Sequence, residues 1–304
     1  MTPRVRLAVT LGDPRGIGPE IATAVLEAGV DAEITVIGAR EQIAGVRADH
    51  RIATGSWRTA DGAARTTAVE AGLITGRAIE HAARLALQGE VDAMVTAPAE
   101  KHALHLAGFP FPGHTEWLAH LAGGCDVAMM LASDRLRVVL VTTHVALRDV
   151  PLLLTTERIV RTGAVTRTAL RQWFGIAEPR LALCALNPHA GEQGLFGDEE
   201  ARVLAPAAER LGAAGPLPAD TVFVRAMRGE FDVVLAPYHD VGMTAIKVAS
   251  FGSGVNVTLG LPFVRTSPDH GTAMDLAGTG RADASSMRAA MDLAVDLVQR
   301  SRSR

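Results

Sequence analysis

Residues 5–29, VRLAVTLGDPRGIGPEIATAVLEAG, decide the fold class. Val5–Leu11 is a β-prone apolar run. A Gly/Pro-rich turn follows, and a helical pattern extends from about Pro19 to Gly29. Pro19 suits a first helical position, because its missing N–H is one that a helix start leaves unbonded anyway. A strand, a glycine turn and a helix in that order open an α/β unit.

The alternation continues outward from this stretch. Glu33–Gly38 reads as a strand, and Thr66–Gln88 as a long amphipathic helix stopped by Gly89. Asp92–Thr96 is a short buried strand. Leu136–Thr142 and Leu181–Leu186 are continuous apolar runs, the pattern of parallel strands covered on both faces. Thr155–Phe174 reads as a helix, Phe231–Ala236 and Val255–Leu259 as strands, and Ala282–Gln299 as a closing helix. The expected class is α/β with mostly parallel pairing. A length of 304 residues favours two domains. No repeat or flexible tether is visible, so the second domain is expected to be joined by crossings of the chain.

Composition narrows the function. Hydrophobic residues at 48% supply buried cores and exclude disorder. A net charge of −3 and 4% aromatics argue against a nucleic-acid partner. No apolar run reaches the ~18 residues of a membrane span, so no membrane partner is expected. The N-terminal stretch lacks a signal-peptide pattern, and cytoplasmic localisation is the expectation. Cys125 and Cys184 have no metal or redox spacing and read as reduced core residues. Of 30 basic residues only Lys101 and Lys247 are lysine. A chain that uses arginine elsewhere keeps lysine either by chance or where a compact ammonium is needed.

Polar motifs follow the strands, where open α/β sheets bind ligands. Thr10–Glu20 carries glycines and a helix start whose amides suit an anion, or is a plain connection. His144, His189 and His239 each follow a strand. Three imidazoles suit a borderline divalent ion and leave a position open for substrate; hydrogen-bonded structural histidines are the alternative. His114 and Thr115, in PGHTEW, stand at a helix start and offer donors to a phosphate or carboxylate, unless Thr115 merely caps that helix. Lys247, Asn256 and Arg265, near strand ends, make a polyanion grip or are separate surface residues. Asp275 is placed to accept from vicinal hydroxyls, as an acid does on a nucleotide ribose. His81, His102, His105 and His120 fall in helical patterns, and His50 in an uninformative loop.

Taken together the motifs resemble the 4-hydroxythreonine-4-phosphate dehydrogenase family of vitamin B6 synthesis. The matching stretches are TLGDPRGIGPE (10–20), TAPAEKHAL (96–104), PGHTEW (112–117), VTTH (141–144), LNPHAGE (186–192), GPLPADT (215–221), YHD (238–240), VNVTLGLPFVRTS (255–267) and DHGTAMDLAGTG (269–280). They span nearly the whole chain in order. The last also resembles the adenosine-binding loop of isopropylmalate and isocitrate dehydrogenases. The resemblance implies two α/β/α domains, 1–120 with 265–304 and 121–264, with the active site in the interdomain cleft. It implies a homodimer in which one metal histidine comes from the partner subunit.

Carried over by residue, the resemblance makes His144, His189 and His239 the ligands of a divalent metal (zinc, magnesium or cobalt). His114, Thr115, Lys247, Asn256 and Arg265 become substrate-binding residues, and Lys247 and Asp220 the catalytic candidates. His270 and Asp275 hold the adenosine end of NAD, with NADP as the competing cofactor. Lys101 lies in a family motif without a role.

The implied reaction oxidises 4-phosphooxy-L-threonine to 2-amino-3-oxo-4-phosphooxybutanoate, leading to 3-amino-2-oxopropyl phosphate and CO2. A sister group acts on 4-phosphorylated threonate or erythronate, and a distant branch on a ring cis-diol. GHTE, Lys247 and Arg265 favour a small phosphorylated hydroxy acid over the ring diol. One departure is Val241-Gly242, where the family usually has Gln-Gly, and the stretch between Ile43 and Thr66 is short. The rival classes are a metal-dependent hydrolase using the same histidines, which would need no nicotinamide, and a nucleotide-binding regulatory module.

Overall fold

The structure is a computed structural model describing residues 3–58, 67–250 and 254–303. Thr66, where the sequence starts its long helix, lies outside the described residues. The chain forms two compact units, Met1–Cys125 with Leu261–Arg304, and Asp126–Gly260.

The first unit runs β1 (Arg6–Thr10), α1 (Gly18–Ala28), β2 (Glu33–Ala39), α2 (Arg40–Ile43), β3 (His50–Gly55), α3 (Ala68–Leu87), β4 (Ala93–Thr96), α4 (Lys101–Leu106) and α5 (His114–Leu121). Within the second unit come β5 (Ala128–Ala132), β6 (Arg137–Leu140), α6 (Val150–Leu153), α7 (Thr156–Gln172), β7 (Leu181–Cys184), α8 (Ala205–Leu211), β8 (Ala214–Leu217), α9 (Ala219–Met227), β9 (Val233–Ala236), α10 (His239–Ser250) and β10 (Val255–Leu259). The chain then returns to the first unit with β11 (Val264–Pro268) and α11 (Ser285–Arg302).

The first unit's strands lie in the order β3-β2-β1-β4-β11 and all pair in parallel. Leu7, Val9, Val36 and Val95 have no exposed surface, as expected for strands covered on both faces. Helix α3 starts at Thr67, whose hydroxyl accepts the Glu70 amide at 3.3 Å, and stops before Gly89, whose φ is +70°. Gly72 on α3 lets α4 approach closely, because a Cβ there would overlap the Ala103 carbonyl. Gly72→Ala is therefore expected to destabilise the protein by about 2 kcal/mol through overpacking. Urea unfolding checks this as a lower midpoint with an unchanged slope.

The second unit orders its strands β10-β5-β6-β9-β7-β8. β5 is antiparallel to both β10 and β6, while β6, β9, β7 and β8 run parallel. Its core includes Leu131, Val138, Leu140, Val222 and Ile246, together with Cys184. Burial pushes the Cys184 thiol up to about 12, so it is an inert apolar residue. Cys125 is only partly buried, beyond α5, and departs from the core placement expected for it. No described helix is long and apolar enough to cross a membrane.

Four strands differ from the sequence reading. His50 opens β3 rather than lying in a loop, its backbone in register with Thr35. The sequence marks no strand at β5 or β8, and at β11 it shows only a polar motif. β11 is buried along its whole length although its sequence is VRTSP. Two of its polar side chains find tertiary partners: Thr266 donates to the Ala290 carbonyl at 2.7 Å and Arg265 to Thr96 Oγ1 at 2.5 Å. Burial of a hydrogen-bonded polar group has little net cost, and no local pattern announces it.

Candidate active site

In the first unit the parallel strands place the loops after β1, β4 and β11 at one edge. Hydrogen bonds tie the three together. Asp13 N donates to the Pro98 carbonyl at 3.0 Å, and Ile17 N to the Thr272 carbonyl at 2.9 Å. Gly278 N donates to Glu20 Oε2 at 3.0 Å. Gly12 adopts φ +73°, and a Cβ there would overlap the Pro98 carbonyl, so the GDPRG turn needs glycine. Arg15 forks onto the buried Asp13 carboxylate at 3.0 and 2.8 Å and reaches Glu100 at 2.5 Å.

This corrects one expectation. The amides of Arg15, Gly16 and Ile17 are bonded internally, to Asp13 Oδ1, Asp13 O and Thr272 O. They are not open to an anion, and the turn works as a brace. Beside it lies a cavity of about 610 Å³ lined by Gly16, Glu20, Gln42, Ala277 and Gly278, among others. Glu20 closes the TLGDPRGIGPE stretch, while Gln42 carries no motif signal. Asp275 is exposed in the turn that contributes Ala277 and Gly278, and His270 lies five residues before it. The His270 Nε2 is buried without a hydrogen-bond partner, while Nδ1 lies 3.1 Å from the Gly271 carbonyl.

The strongest anion cluster gathers on α5, β11 and α4. Gly113 precedes α5 in extended conformation, and no side chain caps this helix, so Thr115 is a buried residue and not a cap. The His114 Nε2 is buried with no hydrogen-bond partner among the described residues. Arg265 is 3% exposed. It is the second residue of β11, level with Met94, and its guanidinium reaches along β4 to Thr96. Burial, then the charges of Arg265 and Lys101, push His114 down to about 3. Burial lowers Arg265 to about 10, opposed by Glu116. A neutral imidazole with an unused nitrogen, set in the field of two cations, is built to receive an anion. Lys101 thus gains a place that the sequence did not supply.

The sign of the His114 effect is testable. Its folded pKa lies below the ordinary value of about 6.5. Between about 3 and 6.5 the unfolded chain binds a proton that the folded chain refuses, so stability falls as pH falls through that window. The slope attributable to this residue is roughly 1.4 kcal/mol per pH unit. His114→Asn should flatten the acid limb by that amount in urea unfolding at pH 6.5 and 4.5.

In the second unit the C-terminal ends of β6, β9 and β7 lie side by side. Leu140 pairs with Ala236, and Leu183 with Leu235. His144 follows β6, His239 opens α10 after β9, and His189 follows β7. The register brings His144 and His239 together, with ring centroids 5.4 Å apart. His239 Nδ1 lies 2.6 Å from Asp240 Oδ1. With Nδ1–H donated to that carboxylate, Nε2 keeps its lone pair for a ligand.

His189 does not join them. Among the described residues no three metal-type side chains converge. His189 is exposed on a run, His189–Gln193, whose φ angles are all positive. The two neighbouring imidazoles, His144 and His239, are of a donor type that fits a divalent ion.

Lys247 is exposed on α10, Asp220 is exposed in the first turn of α9, and the Asn256 Oδ1 is buried without a partner inside β10. Asn256 and Arg265 are second residues of their strands, at amino ends and not at the carboxyl ends where the other motifs stand. Val241, the departure from the family pattern, packs partly buried against the core. Gly242 beside it lets α10 sit on Leu140 and Val138.

Both units are mostly parallel α/β structures with polar loops beyond strand ends, the build of a small-molecule enzyme. The sequence pattern of the pyridoxal phosphate biosynthetic protein PdxA matches residues 11–294, and the chain belongs to that family. It is 47% identical to a 4-hydroxythreonine-4-phosphate dehydrogenase of Geobacter metallireducens, over 97% of this chain and 96% of the relative. It is 44% identical to a D-threonate 4-phosphate dehydrogenase of Salmonella typhimurium, over 96% and 98%. The crystal structure of 4-hydroxythreonine-4-phosphate dehydrogenase from Klebsiella pneumoniae matches with a TM-score of 0.88 at 40% identity, covering 97% of this chain and 98% of that one. These relatives are dehydrogenases, and the chain is an oxidoreductase acting on a CH–OH group.

Proposed function

We propose that the chain oxidises the secondary alcohol of 4-phosphooxy-L-threonine with NAD and a divalent ion, in pyridoxal phosphate synthesis. The observation that carries this reading is the buried cluster of Arg265 and His114 in the field of Lys101, a receptor for a compact dianion. Arg265 forks onto two phosphate oxygens. His114 offers its unpartnered Nε2, and Thr115 a hydroxyl. His144 and His239 hold the ion, and a second copy of the chain supplies the third imidazole in a homodimer. When bound, the ion lowers the pKa of the substrate hydroxyl and the nicotinamide accepts the hydride.

The hydroxyl proton leaves to Lys247 or to a water held by Asp220. Asn256 orients the substrate through its buried Oδ1. The resulting β-keto acid loses CO2 readily, because the new carbonyl accepts the electron pair. His270, Asp275 and the cavity beside Glu20 and Gln42 take the adenosine end of the cofactor.

A second reading is favoured by the Salmonella typhimurium relative, whose name specifies D-threonate 4-phosphate. The two substrates share the phosphate and the secondary alcohol and differ at C2, where one carries an amine and the other a hydroxyl. Steady-state rates on both, followed by the absorbance of reduced NAD, separate the readings. Preference for 4-phosphooxy-L-threonine upholds the first. Turnover of D-threonate 4-phosphate alone establishes the second, and turnover of neither overturns both.

A further inference from the structure

We propose that Glu200 is the positioning residue for His189, holding the base of the backbone run that presents this imidazole. The inference rests on the metal role given to His189 above. Glu200 is 6% exposed and stands at the start of a π-helical turn, Glu200–Leu204. π-type turns are rare and recur at functional sites. Its carboxylate accepts three N–H groups from the segment leading into the His189 run. Oε1 takes the Leu186 amide at 2.9 Å and the Asn187 amide at 2.7 Å, and Oε2 takes Asn187 Nδ2 at 2.9 Å. Charge-assisted bonds of this kind are about twice as strong as neutral ones.

The segment they hold needs holding. His189, Ala190, Gly191, Glu192 and Gln193 have φ angles of 51°, 56°, 81°, 43° and 57°. Each non-glycine residue in this left-handed region costs about 1–2 kcal/mol, so the run persists only where its surroundings over-determine it. Gly191 passes directly over the brace, since a Cβ there would lie 2.9 Å from Glu200 Oε2. The imidazole so presented is exposed and has no hydrogen-bonding partner among the described residues. A strained, braced backbone ending in an unused imidazole serves a ligand that lies outside this chain's own contacts.

The test is cobalt(II) titration of metal-stripped full-length protein, read by the visible spectrum of the bound ion, with thermal melts in parallel. Four proteins are compared: wild type, Glu200→Gln, His189→Ala and the double variant. Positioning predicts that Glu200→Gln loses 10–100-fold in cobalt affinity while its melting temperature falls by only a few degrees. It also predicts that the double variant binds no more weakly than His189→Ala alone. A merely structural Glu200 gives losses that add in the double variant, and that outcome overturns the inference. So does wild-type affinity in Glu200→Gln when His189→Ala has lost its own. Should Glu200→Gln fail to fold, Asn187→Ala removes one of the three grips and is read by the same criteria. Wild-type protein that takes up no cobalt overturns the metal role and this inference together.

Discussion

Arg265→Ala is expected to lower kcat/KM on the phosphorylated substrate by at least ~2 kcal/mol, roughly 30-fold, with little change on the unphosphorylated alcohol. The selectivity between substrates is the informative part. A guanidinium 3% exposed, its pKa drawn down to about 10 by burial, carries a desolvation penalty, and a bound dianion would offset part of it. Arg265→Lys should rescue only in part, because an ammonium cannot fork onto two oxygens. Arg265→Met fills similar volume without charge, so its melting temperature should stay at or above that of the wild type while kcat/KM falls. If Arg265 only supports β11 through Thr96, both substrates lose equally and all three variants melt early. Melts and two-substrate kinetics on the same preparations decide between these outcomes.

His239→Ala should reduce kcat by about 1,000-fold or more, the equivalent of the several kcal/mol that Lewis-acid stabilisation contributes. His144→Ala should match it, because the two rings lie side by side at 5.4 Å and neither holds an ion well alone. Exhaustive chelation should take the wild type to the same floor. Returning divalent ion should restore the wild type and neither variant. Activity that survives complete chelation would remove the metal from the mechanism. Metal analysis of purified protein should find close to one ion per chain.

The legible parts of this molecule share a physical cause. β4, β6, β7 and β9 are covered on both faces, so burial writes a nearly continuous apolar run into the sequence. The strand-end histidines were readable because each stands a few residues past such a run. β11 was not, since its Thr266 and Arg265 find hydrogen-bond partners 24 and 169 positions away. Glu200 escaped for the same reason: its work is done on amides 13 and 14 residues upstream. Nothing local marks His189, Ala190, Glu192 or Gln193 for left-handed backbone. The pairing of His144 with His239 depends on the register of β6 against β9, which only the fold supplies. For the GDPRG turn, which reads equally as an anion site or a plain connection, the internal bonds of the Arg15, Gly16 and Ile17 amides favour the connection.

The return of the chain to its first unit sets an order on synthesis. When the ribosome has made Gly260, every strand of the second unit exists. The first unit still lacks β11 and α11. Until then β4 presents a bare backbone edge, and the surface later covered by Met287, Ala290, Met291, Ala294 and Leu297 stands open to water. An uncovered edge of this kind invites pairing with other chains. At roughly 5–20 residues per second the interval lasts a few seconds. A nascent chain stalled or cut in that interval therefore carries a finished second unit and an aggregation-prone first one, so chaperones would engage the N-terminal residues after the middle of the protein has already folded.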